Sequence, residues 1–136
     1  MDMIFYSAVN GRAEERLQGM IEKLIPGGGA EACRTIDDLA DRLLQPHNDL
    51  TIAVLLAADK DDLFNLTSIC NLFHDARIIL IAPDQDKETI SLAHRLRPRL
   101  LTYPDSDFAE VFAVLNNILS EHHDFKHFNY MHNQGK

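Results

Sequence analysis

Three short apolar runs rich in β-branched residues, MIFYSAV (3–9), LTIAVLLAA (50–58) and RIILIAP (77–83), alternate with segments of helical periodicity. A nearly continuous apolar run of this length suits a strand covered on both faces, as in a parallel sheet held between helices. Two weaker strands fit the remaining gaps, around Ala32 to Ile36 and around Leu100 to Tyr103. The intervening segments keep their apolar residues on one helical face. RAEERLQGMIEKLI sets Leu17, Met20, Ile21, Leu24 and Ile25 together, and DDLADRLL does the same with Leu39, Leu43 and Leu44. DDLFNLTSICNLF uses Leu63, Leu66, Ile69, Cys70 and Phe73, and ETISLAHRL uses Ile90, Ala93 and Leu96. The last, DFAEVFAVLNNILSEH, uses Phe108, Val111, Phe112, Leu115 and Leu119. Strand and helix therefore alternate five times, with connections short enough for right-handed crossovers. This order predicts a flavodoxin-like, doubly wound, five-stranded parallel sheet in a three-layer αβα arrangement. Its functional loops are expected at the carboxyl ends of the strands, at 7–10, 57–60, 82–84 and 103–105.

Local chemistry punctuates the helices. Thr35 precedes Asp38 by three residues, Asp59 precedes Asp62, and Asp107 precedes Glu110, so each first residue is an expected N-cap. Pro26 with Gly27, Gly28 and Gly29 should end the first helix in a turn, and Pro98 should stop the fourth.

With 136 residues the chain has room for one full core, and it is read as one domain over 1–121 followed by a His- and aromatic-rich tail over 122–136. A net charge of −8 argues against nucleic acid, whose phosphates need a basic face. No apolar stretch approaches the roughly 20 residues of a membrane span, and no basic region precedes the first apolar run, so no membrane contact and a cytoplasmic location are expected. Cys33 and Cys70 lack CxxC spacing and read as reduced structural thiols. PGGGAEACRT has no GK[ST] and follows a helix instead of a strand, which makes it a turn. Ser91 and His94 share a helix face with no oxyanion donor implied, so neither a catalytic residue nor a cofactor is expected.

RIILIAP and LLTYPDSDFAEVFAVLNNIL, placed in this five-unit order, resemble the fourth strand, fifth strand, proline turn and last helix of response-regulator receiver domains, over residues 3 to 121. The resemblance implies a pair of magnesium-binding acids after the first strand, where this chain has Ser7, Ala8, Val9 and Asn10. It implies a hydroxyl after the fourth strand, where Ala82 stands, and a lysine before the proline after the fifth, where Tyr103 precedes Pro104. Asp59 is the phosphoacceptor candidate by its place after the third strand, and it equally suits a helix cap. Phosphoryl transfer depends on positioning and charge neutralisation, so a carboxylate without metal ligands or lysine has little to work with. The chain thus resembles a degenerate receiver.

Arg95, Arg97 and Arg99 concentrate cations near the end of the fourth helix, which suits either the helix dipole or an acidic partner. In the tail, Phe125 and Phe128 suggest docking, either back on the domain or onto a partner, and His123 and His127 have the i, i+4 spacing of a metal clamp although no metal is expected. The expected function is a phosphorylation-independent interaction module in signal transduction that contacts a protein partner or forms a homodimer through Tyr103, these arginines and the tail. Two alternatives stand beside it: a switch phosphorylated at Asp59, and a small-ligand binder at the strand-end crevice.

Overall fold

The computed structural model describes residues 2–25, 30–46 and 50–134, with side chains described as far as residue 121. Five strands, β1 (Asp2–Ser7), β2 (Ala30–Cys33), β3 (Thr51–Leu56), β4 (Ala76–Ile81) and β5 (Leu100–Thr102), alternate with α1 (Arg12–Leu24), α2 (Ile36–Leu44), α3 (Lys60–Ser68), α4 (Lys87–Arg95) and α5 (Ala109–Gln134). All pairings are parallel and the sheet order is β2-β1-β3-β4-β5. This is the flavodoxin-like three-layer fold that the alternation predicts.

Period-two alternation along each strand divides the core into two clusters, one on each face of the sheet. Ile4, Tyr6, Ala53, Leu55, Ile78 and Leu80 pack with Leu39, Leu63 and Ala93 of α2, α3 and α4. Met3, Phe5, Ile52, Val54, Ile79 and Ile81 pack with Leu17 of α1 and with Val111 and Leu115 of α5. Every residue of β3 is buried, and each large apolar side chain so enclosed contributes about 1.5–3 kcal/mol.

Several local expectations are corrected. β2 forms over Ala30–Cys33, ahead of the expected position, because Thr35 is occupied as the cap of α2, accepting the Asp38 amide at 3.0 Å. The third helix does not run through Phe73. It ends at Ser68, and a 3-10 turn over Cys70–Phe73 follows. The hydroxyls of Thr67 and Ser68 donate to the carbonyls of Phe64 and Asn65 at 2.6 and 2.5 Å, and this competition from side chains loosens the last turn. Leu44 and Phe112, expected in the core, are exposed, whereas Ile118 is buried in place of Phe112. Asp107 accepts the Ala109 amide at 3.0 Å, so it holds a tight turn before α5. The backbone of α5 continues as helix to Gln134, through most of the expected tail. The expected turn at 26–29 and the side chains of His123, Phe125, His127 and Phe128 lie outside the described residues.

Glu14 is buried despite its charge, and the Arg34 guanidinium bonds to it, pinning α1 beside the end of β2. Arg42 joins α2 to the opposite end of the sheet through Asp2 at 3.3 Å and Glu31 at 3.0 Å.

Candidate functional site

Strand register defines the carboxyl end of the sheet. Ser7 pairs with Leu56, Leu56 with Ile81, and Ile81 with Thr102. The ladder continues one step further, since the Ala57 amide donates to the Ile81 carbonyl at 3.0 Å and the Ala82 amide to the Thr102 carbonyl at 2.8 Å. Ala57, Ala82 and Tyr103 therefore stand level at the rim, and both alanines are buried. The β3 position level with Ala82 and Tyr103 is a methyl group, and Asp59 lies two residues beyond it.

Asp59 is occupied as the N-cap of α3, where its Oδ1 accepts the Asp62 amide at 2.8 Å. Asp62 answers by accepting the Ala58 amide at 2.9 Å, a reciprocal arrangement close to a capping box. The other oxygen of Asp62 accepts the Tyr6 hydroxyl at 2.5 Å. Burial, followed by that hydrogen bond and the charges of Asp62 and Asp59, raises the Tyr6 phenol pKa above its ordinary range. Asp59 and Asp62 are thus engaged in holding the entry to α3.

The β1 end is also closed on itself. The buried Ser7 hydroxyl donates to the Val9 carbonyl at 2.7 Å, while Ala8, Val9 and Asn10 are exposed. After β4, Asp84 accepts the Thr89 hydroxyl at 2.5 Å and the Asp86 amide at 3.0 Å. These bonds hold the Asp84 carboxyl below its ordinary pKa, the Thr89 bond most strongly. Lys60 bridges the β3 and β4 loops, with Asp86 at 3.4 Å and Glu88 at 3.5 Å. Desolvation opposes its charge, yet Asp86, Glu88 and Asp84 together raise its pKa. After β5, the Thr102 hydroxyl donates to Ser106 Oγ at 3.2 Å, and Ser106 accepts the Phe108 amide at 3.2 Å. Between the β4 and β5 loops lies a cleft of about 310 Å³ bounded by Pro83, Asp84, Tyr103, Pro104 and Asp105.

Lys60 and Asp84 fall in the strand-end loops expected from sequence, whereas Tyr6 and Thr89 were not anticipated as site-forming residues. Asp59–Asp62 spacing was a usable signal for the cap, whereas the Lys60 bridge depends on which loops the sheet order brings together. The structure also separates residues that the sequence grouped. Tyr103 lies at the carboxyl end of β5, while Arg99 precedes its start and Arg95 and Arg97 sit at the end of α4. Four residues of extended chain place Arg99 and Tyr103 roughly 13 Å apart along the strand. Among the described residues no group of three or more His, Cys, Asp or Glu side chains could hold a metal ion, and no helix is long and apolar enough to cross a membrane.

The fold class is therefore a flavodoxin-like α/β sandwich whose strand-end loops are tied by their own side chains. Compared with family models, with curated proteins and with solved structures, the chain gives no significant match.

Proposed function

We propose that this chain is a degenerate receiver that works as a protein-interaction module without an aspartyl phosphate. The observation that carries the reading is the alanine pair: Ala57 and Ala82 close β3 and β4 with buried methyl groups, and Asp59, two residues beyond Ala57, is bonded as a helix cap. A transferring phosphoryl group needs metal ligands and a compensating cation around the acceptor. Here the β1 end presents Ser7 to Asn10, and Lys60 is engaged by Asp86 and Glu88. In this reading the partner is a protein, or a second copy of the chain, that contacts the Tyr103 rim of the β5 edge.

The phosphate half of the proposal is tested by exposing the protein to a small phosphodonor with magnesium and measuring intact mass, and by amide NMR with beryllofluoride. The expected result is no labile adduct and no concerted shift of Asn10, Asp59, Ala82 and Tyr103. An adduct lost in Asp59→Asn would overturn it. The interaction half is tested by sedimentation velocity of the wild type and Tyr103→Ala over a concentration series, which reads self-association through that surface. A Tyr103-dependent complex supports the module, and complexes that ignore the substitution refute that surface.

A further inference from the structure

At the end of the sheet opposite the strand-end loops, a second cleft of about 500 Å³ opens between the 3-10 turn, the start of β4 and the end of α4. It is larger than the crevice beside Tyr103 and falls within the range of small-molecule sites. Phe73, Ile78 and Leu96, all buried, form an apolar floor. Arg95 and Arg97 stand on one wall, and Cys70 and Asn71 on the other.

We propose that this cleft binds a small organic oxyanion, a carboxylate or phosphate carried on an apolar body. Three observations converge on that class. First, neither Arg95 nor Arg97 has an ion-pair partner among the described residues, in a chain whose net charge is −8. A guanidinium is a fork of donors matched to a carboxylate or phosphate.

Second, Arg97 is held in the left-handed region with φ 51°, one of two non-glycine residues so placed among those described. Strain of this kind persists where its surroundings fix it, and it is a reason to look for function. Pro98 disfavours the right-handed helical conformation at Arg97, and the Arg97 amide donates to the His94 carbonyl at 3.1 Å. The turn thereby carries the second guanidinium onto the same cleft wall as the first. Third, the remaining polar neighbours do not compete. His74 is engaged with Asp75 at 3.0 Å and with the Asn71 carbonyl at 3.3 Å. The carbonyls at the end of α4 are capped by the Leu96 and Arg97 amides at 3.1 Å each. A helix C-terminus contributes about half a negative charge, which two guanidiniums exceed.

Phenyl phosphate and benzoate are the probes, with inorganic phosphate and benzyl alcohol as controls for the two halves of the recognition. Calorimetry or amide NMR titration should show saturable binding of at least one of the two probes. Inorganic phosphate and benzyl alcohol should each bind about tenfold more weakly or worse, since each lacks one half of the contact. Arg95→Gln and Arg97→Gln should each weaken the probe about tenfold. Arg97→Gly removes the guanidinium while relieving the left-handed strain, so its loss of binding cannot be ascribed to misfolding. Cys70, which lines the cleft, supplies a second readout, because bound probe should slow its alkylation. Absence of saturable binding at millimolar probe, equal binding of benzyl alcohol, or full affinity in Arg97→Gly would each overturn the proposal.

Discussion

The Tyr6 hydroxyl donates to Asp62 Oδ1 at 2.5 Å, joining the buried strand β1 to the first turn of α3 across 56 residues of sequence. Tyr6 is 1 % exposed, so the ring is a core side chain and its hydroxyl reaches the carboxylate whose other oxygen holds the Ala58 amide. Tyr6→Phe keeps the ring and removes the bond, and should cost about 1–2 kcal/mol at neutral pH, read from urea unfolding. The pH dependence has a definite sign. Because the folded phenol keeps its proton beyond the ordinary value of 10.0, the unfolded chain ionises first, and stability should fall as pH rises above that value. Tyr6→Phe should lose that part of the alkaline decline.

For Asp59 the capping bond makes a prediction that separates cap from acceptor. Asp59→Ala should lower stability by about 1 kcal/mol, whereas Asp59→Asn, itself a good cap, should fall within a few tenths. Denaturant midpoints measure both, and an Asn variant as damaged as the Ala variant would assign the carboxylate a role beyond capping.

The two left-handed residues should respond in opposite directions to the same substitution. Arg97, with φ 51°, is exposed, so Arg97→Gly should stabilise the protein by about 0.5–1 kcal/mol. Phe108, with φ 61°, is 1 % exposed, and the Arg16 guanidinium lies 4.7 Å from its ring centre. There the cavity term wins, and Phe108→Gly should cost about 3 kcal/mol or more in thermal or chemical unfolding.

The thiols should also diverge. Cys33 is buried, and burial, with the nearby charges of Glu31 and Asp38 outweighing Arg42, raises its pKa. A thiol kept protonated and enclosed is a poor nucleophile. Brief alkylation of the native protein should therefore add one label, at Cys70, with the second appearing only in denaturant, as read by intact mass and peptide mapping.

Strands β1, β3 and β4 were legible because each is covered on both faces, so composition alone marks it. β2 was misplaced because Glu31 and Ala32 are exposed at the sheet edge and leave no apolar run to read. The break after Ser68 was missed because a periodic apolar pattern does not register hydroxyls that compete for carbonyls within the same helix. At the candidate site, the identities of Ser7, Ala82 and Tyr103 were readable one by one, and the Asp59 cap was readable from spacing. What was not readable was level: only strand register shows that Ala57, two residues before Asp59, stands beside Ala82. The arginine cleft was hidden for a related reason, since its opposite wall is the 3-10 turn that the helical pattern ran through.

The sheet's two edge strands are also its shortest, four residues in β2 and three in β5. A foreign strand laid against either edge would find only a few backbone groups to pair with, and at β2 it would meet the Glu31 carboxylate held by Arg42. Fibril-like stacking of copies edge to edge is thereby discouraged. Recognition by added backbone, as practised by domains that take up an extended peptide, is discouraged for the same reason. What the two short edges leave for contact is chiefly side chains.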